Sequence, residues 1–123
     1  MSENTLYIVP IDRDYQPTAE QKDNTFSYFE KIVTEAENEP CIYENASFTD
    51  DDGQKVVTKV ALTAGWVFGN EEYWQLDGEE YEDVSEEDEE YYEIMYGTQL
   101  TSDAQQKLEE LFGTKLEVIW VRD

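Results

Sequence analysis

The chain contains no histidine and one cysteine, Cys41, and its six glycines are scattered. Without histidine it lacks the commonest general base and the commonest transition-metal ligand. One thiol cannot form an intramolecular disulfide or a thiolate zinc site, and as a nucleophile it would have no histidine to activate it. Scattered glycines do not build a phosphate-binding loop. We therefore expect no catalysis, no cofactor and no metal.

Long apolar runs are also missing. No stretch approaches the roughly 20 apolar residues of a membrane span, and the first residues, Met1 to Thr5, lack the basic and apolar regions of a signal peptide. A lone cysteine fits a reducing compartment. The sequence predicts a cytoplasmic protein that does not interact with membranes.

Basic residues are scarce, with 8 Lys and Arg against 31 Asp and Glu, so the formal net charge is −23. Such a surface repels nucleic acid and anionic membranes, and it attracts basic proteins. The hydrophobic fraction of 39% and the aromatic fraction of 14% still provide for a core. With 123 residues, we expect a single acidic domain over 1–123.

Two helices are predicted from apolar residues spaced three and four apart. The first spans roughly 18–37 and follows a capping-box pattern of Thr18 with Gln21. The second follows a similar pattern of Ser102 with Gln105, and it ends at Gly113.

Strands are predicted from apolar, β-branched or alternating runs. They cover 6–11, 41–48, 55–62 (with a continuation toward 68), 91–96 and 115–121. Residues 50–53, Asp-Asp-Asp-Gly, join the second and third strands as a hairpin turn. A calcium loop is the weaker interpretation of this turn, because Phe48 and Lys59 occupy positions where an EF-hand needs oxygen ligands.

The order of elements is strand, helix, hairpin, acidic segment, helix and strand. This order predicts an α+β fold: a single-layer, mainly antiparallel sheet of about four to five strands with two helices on one face. The nearest simple topology is the ferredoxin-like split βαβ arrangement.

The segment 71–93 is the most acidic part of the chain. Thirteen of its 23 residues are Asp or Glu and none is Lys or Arg, yet Tyr and Trp are interleaved with the acids. An acidic run is usually a solvated loop, and Trp74 and Ile94 are expected in the core. Because aromatic residues dominate binding hot spots and acids steer basic partners, we predict a partner-binding surface here. Its residues are Glu71, Glu72, Tyr73, Asp77, Glu79, Glu80, Tyr81, Glu82, Asp83, Tyr91 and Tyr92.

The leading hypothesis is an acidic inhibitor that blocks a basic, nucleic-acid-handling partner, as an immunity protein or antitoxin blocks a bacterial nuclease toxin. One alternative is a phage-type DNA mimic with anti-restriction or anti-CRISPR activity. Another is an interaction module without an inhibitory role. Adaptation to high salt is disfavoured, because the acids concentrate in one segment.

Overall fold

The computed structural model describes residues 4–35, 40–65, 67–75, 92–94 and 96–122. These residues form strands and two helices in the following order. The elements are β1 (Asn4–Pro10), α1 (Ala19–Ile32), β2 (Thr34–Glu35), β3 (Cys41–Thr49), β4 (Lys55–Gly65), β5 (Val67–Gly69), β6 (Tyr92–Glu93), α2 (Ser102–Phe112) and β7 (Leu116–Arg122).

The main sheet has four strands in the order β3-β4-β1-β7, and every neighbouring pair is antiparallel. Helices α1 and α2 contact each other, and their buried side chains share one hydrophobic core with the sheet. This confirms the predicted α+β class, while the ferredoxin-like topology stays a prediction. The largest fully buried side chains include Trp74, Phe29, Phe112, Leu6, Ile8, Ile32, Leu62, Ile94 and Leu108.

A second, three-stranded sheet, in the order β2-β5-β6, was not predicted. It explains why the prediction of a first helix to residue 37 is wrong. The helix ends at Ile32, Val33 adopts an extended conformation, and Thr34 pairs with Phe68. The pairing of β2 with β5 thus overrides the local helical pattern. Of the strand predicted at 91–96, the described residues Tyr92–Glu93 form β6, whereas Ile94 and Tyr96 lie outside it.

Two helix ends follow the predicted chemistry, the start of α1 and the end of α2, and the start of α2 departs from it. Thr18 Oγ1 accepts from the Gln21 N–H (3.1 Å), and Gln21 Oε1 accepts from the Thr18 N–H (2.8 Å), which confirms the capping box. Gly113 ends α2 with a φ of 89°. The prediction of a capping box at Ser102 and Gln105 is wrong, because Thr101 is the N-cap and its hydroxyl accepts from the Ala104 N–H (3.2 Å).

The β3–β4 hairpin folds back over the main sheet. Tyr7 of β1 pairs with Thr63, whereas Phe48 pairs with Val56, which lies seven positions before Thr63 in β4. A straight sheet would therefore separate Tyr7 and Phe48 by about 23 Å. Their rings instead stack with centroids 3.8 Å apart and planes within 6°. The outer half of the hairpin thus lies over the face of β1 opposite to the helices.

The bend and the tip of the hairpin are both fixed by specific residues. Asn45, with a φ of 56°, interrupts the ladder within β3, and asparagine adopts this left-handed conformation more readily than most residues. At the tip, Asp51 accepts hydrogen bonds from the Tyr96 hydroxyl and from the Arg122 N–H (3.0 Å). The tip therefore reaches the outer edge of β7.

Candidate functional site

The described beginning of the predicted binding segment is a tight turn. Asn70 Oδ1 accepts from the Glu72 N–H (3.0 Å), and the Asn70 carbonyl accepts from the N–H groups of Tyr73 (3.2 Å) and Trp74 (3.0 Å). Asparagine favours such turns because its side chain bonds the backbone two residues on. The turn leaves Glu71 and Glu72 exposed and Tyr73 half-buried.

Trp74 anchors this turn in the core. Its side chain is buried, and its Nε1 donates to the carbonyl of Ile32 (2.7 Å) at the end of α1. The Tyr73 carbonyl accepts from the Thr101 N–H (2.9 Å) at the beginning of α2. The turn is thus held between the two helices, and the prediction that Trp74 and Ile94 belong to the core is confirmed.

Tyr73 packs against Tyr28 of α1. The two rings meet edge to face with centroids 5.9 Å apart. Burial raises the pKa of Tyr28, and the nearby Tyr73 hydroxyl and the negative charges of Glu72 and Asp103 raise it further. At neutral pH Tyr28 therefore keeps its proton and can donate a hydrogen bond. Tyr28, Glu71, Glu72, Tyr73 and Asp103 together form what we name the Tyr28–Tyr73 surface.

The carboxylates of this surface form no ion pair with any base in the described part of the chain. The ion pairs among the described residues are Arg13–Glu117 (2.8 Å), Lys22–Glu44 and Lys115–Glu109 (3.7 Å). Within that part of the chain, Glu71, Glu72 and Asp103 have no basic partner. A carboxylate with no cation to satisfy it favours the approach of an external cation, and here two aromatic rings are available beside it.

The structure places the predicted site residues unevenly. It brings Glu71, Glu72 and Tyr73 together on one hydrogen-bonded turn, and Tyr92 contributes its backbone to β6. The other predicted residues lie outside the described residues: Asp77, Glu79, Glu80, Tyr81, Glu82, Asp83 and Tyr91.

Two residues of the Tyr28–Tyr73 surface were not predicted from the sequence, Tyr28 and Asp103. For Tyr28 a signal exists, because it is a large aromatic residue next to Phe29 but outside the apolar spacing of α1. Asp103 carries no such signal, since an acid in the first turn of a helix is ordinary.

The chain matches no protein family, no curated protein and no solved structure. Its chemistry is therefore argued from its own residues. Among the described residues, no group of three potential ligands could hold a metal ion. Of the two helices in that part of the chain, neither is long and apolar enough to span a membrane.

Proposed function

We propose that the protein is a cytoplasmic acidic inhibitor that binds a basic, nucleic-acid-handling protein and blocks its cationic site. An immunity protein or antitoxin that neutralises a nuclease toxin is the form we favour. The observation that supports it is the Tyr28–Tyr73 surface, where unpaired carboxylates surround two aromatic rings on a backbone fixed between the helices.

The mechanism assigns different roles to the two kinds of side chain. The net charge of −23 attracts a basic partner and raises the association rate. Tyr28 and Tyr73 are already packed against each other, so they lose little conformational freedom when a partner covers them. The acids therefore provide steering and the tyrosines provide the contact that slows dissociation.

The test compares two variants of equal charge. Glu71→Gln/Glu72→Gln removes two carboxylates of the surface. Asp23→Asn/Glu30→Gln removes two exposed carboxylates of α1 that lie about 140–160° around the helix from Tyr28. The purified protein is used to capture basic proteins from cells that encode it, and affinity and nuclease activity are then measured for the captured protein.

We expect the first variant to bind about tenfold or more weakly and the control to stay within about threefold, because close charges act more strongly than distant, screened ones. Tyr73→Ala should weaken binding at least as much. Binding with no loss of nuclease activity would favour the interaction module instead. Equal losses in both variants would reject the Tyr28–Tyr73 surface.

The acidic segment outside the described residues is tested separately. A variant in which Glu79, Glu80, Glu82 and Asp83 all become amides should also bind more weakly if this segment contributes to steering. An unchanged affinity would limit the binding surface to the Tyr28–Tyr73 surface.

A further inference from the structure

The outer edge of β7 has backbone groups that point away from the sheet. The Ile11 N–H donates to the Lys115 carbonyl (3.0 Å), and this bond sets the phase of the β1–β7 ladder. In an antiparallel pair, bonded and non-bonded positions alternate. Residues 117, 119 and 121 therefore bond to β1, whereas the N–H and C=O groups of 116, 118, 120 and 122 point outward.

Side chains close both ends of this edge. At one end, the Leu116 N–H donates to Glu109 Oε2 (3.0 Å) and the Leu116 carbonyl accepts from Gln105 Nε2 (3.1 Å). At the other end, the Arg122 N–H donates to Asp51 at the hairpin tip (3.0 Å). Such closure is a known protection of edge strands against unwanted pairing.

The middle of the edge is not covered by any of the residues that the structure describes. Among the described residues, nothing hydrogen-bonds to the outward N–H and C=O groups of Val118 and Trp120. A groove of about 650 Å³ is lined by residues 117–120 of β7, and its other walls are Arg13, the hairpin from 50 to 57 and the turn at 96–99. Two donors and two acceptors thus lie beside a space bounded by protein.

The charges around the groove favour a basic occupant. Asp50, Asp51, Asp52 and Glu117 line it, against Arg13 and Lys55. Arg13 is already paired with Glu117 (2.8 Å), and Arg122 lies over the Tyr96 ring beside Asp51. Asp50 and Asp52 are therefore the carboxylates that remain to attract a basic side chain. A second copy of this chain is disfavoured, because pairing two β7 edges would bring together two molecules of charge −23.

We propose that the open stretch of β7 binds an extended peptide segment carrying Lys or Arg, which adds to the sheet as a fifth strand. Its backbone makes four hydrogen bonds, to the N–H and C=O groups of Val118 and Trp120, and its basic side chains face the aspartates of the hairpin tip. Strand addition of this kind takes affinity from the main chain and specificity from the side chains. The proposal goes beyond the inhibitor function and does not depend on the Tyr28–Tyr73 surface.

The probe is a capped nine-residue peptide of alternating Lys and Val. The control peptide has the same sequence with every backbone nitrogen methylated, so that it keeps the charge and loses the donors. We expect the unmethylated peptide to slow hydrogen exchange of the Val118 and Trp120 amides, and to bind at least about tenfold more tightly than the control.

A pair of protein variants tests the same edge from the other side. Val118→Pro removes an outward N–H and leaves the ladder to β1 intact, a position where proline is tolerated. Val118→Ala removes the side chain and keeps the N–H. We expect Val118→Pro to bind the Lys-Val peptide at least about tenfold more weakly, and Val118→Ala to bind within about threefold of the original protein.

Three outcomes would overturn the proposal. The first is equal binding of the methylated and unmethylated peptides, which would show that charge alone, without backbone hydrogen bonds, accounts for the interaction. The second is unchanged binding by a folded Val118→Pro variant; if that variant does not fold, the methylated peptide decides. The third is a dimer in sedimentation that Val118→Pro abolishes, which would make a second copy the occupant. The Glu71→Gln/Glu72→Gln variant should bind the peptide normally, so failure here is distinct from failure of the inhibitor function.

Discussion

The indole ring of Trp74 lies directly against the backbone of Gly69: a Cβ atom at residue 69 would come within 2.5 Å of both Cδ1 and Nε1 of the indole. The same Cβ would lie 2.9 Å from the carbonyl oxygen of Ile32, which accepts the indole hydrogen bond. The missing side chain of Gly69 is therefore what lets Trp74 reach α1 and hold the turn that carries Tyr73.

Gly69→Ala should lower the free energy of unfolding by about 1–3 kcal/mol, the usual cost of forcing extra volume into a packed site. Urea denaturation measures this loss of stability. The control is Ser47→Ala on the exposed side of β3, which should change the free energy of unfolding by no more than about 0.5 kcal/mol. No loss at Gly69 would mean that the turn shifts freely, and the Tyr28–Tyr73 surface would then not be preorganised.

Thr25 of α1 is fully buried, and its Oγ1 has no hydrogen-bond partner among the described residues. Thr25→Val keeps the shape and removes the unpaired hydroxyl, so it should raise the free energy of unfolding by about 1 kcal/mol or more. The matched control is Thr58→Val, because the Thr58 hydroxyl is buried and donates to the Val60 carbonyl (2.9 Å). That change should lower the free energy of unfolding by about 1 kcal/mol. Chemical denaturation of both variants shows whether the two changes in the free energy of unfolding have opposite signs.

The capping box at the start of α1 is open to the same measurement. Thr18→Ala removes the acceptor for the Gln21 N–H and should destabilise the protein by about 1 kcal/mol. Ser27→Ala, an exposed substitution within the same helix, should be neutral or slightly stabilising because alanine has the higher helix propensity. If both variants unfold at the same urea concentration, the cap contributes nothing measurable.

Asp51 should make stability depend on pH in a predictable direction. The hydrogen bond from Tyr96 lowers the pKa of Asp51, and the bond from the Arg122 backbone lowers it further. Because the folded pKa lies below the unfolded value near 4, the stabilisation from Asp51 is complete above about pH 5 and is lost as the pH falls through the folded pKa.

The comparison with Asp51→Asn isolates this effect from the titration of the other carboxylates. We expect the original protein to be more stable than the variant at pH 6, with the difference shrinking toward pH 2.5. The same hydrogen bond raises the pKa of Tyr96, so the tie is also lost at alkaline pH, above the ordinary tyrosine range near 10. A difference that is constant between pH 2.5 and 6 would show that the tip is not held through the Asp51 carboxylate.

The parts of the fold that sequence predicts are those with local causes. The capped start of α1, the hairpin turn and the αL glycine at Gly113 all follow from residues within a few positions of one another. The end of α1 does not, because residues 34–35 are drawn into pairing with 67–68. The N-cap of α2 is Thr101 and not the predicted Ser102. Both residues carry a hydroxyl group and are adjacent, so the sequence pattern alone does not distinguish them.

The candidate site shows the same division. Glu71, Glu72 and Tyr73 are adjacent in sequence, so the acidic pattern sufficed to predict them. Tyr28 and Asp103 join them only because α1 and α2 pack together on either side of the turn. The fold-back of the hairpin is likewise invisible locally, because it depends on contacts between residues 41 positions or more apart.

The folded-back hairpin has a consequence for how the molecule opens. Strand β4 pairs with β1 only from Leu62 to Gly65, so the outer arm has its own ladder and few bonds to the rest of the sheet. The main described ties are the Tyr7–Phe48 stack, the Lys59 N–H that donates to the Arg13 carbonyl (2.9 Å), and the contacts of Asp51. Strand β3 is mostly exposed, and regions with solvent-exposed backbone hydrogen bonds exchange their amide hydrogens through local opening well below the free energy of global unfolding. We therefore expect the outer half of the β3–β4 hairpin to open as a unit. This opening would transiently expose one face of the sheet to solvent while the helices stay packed against the other face.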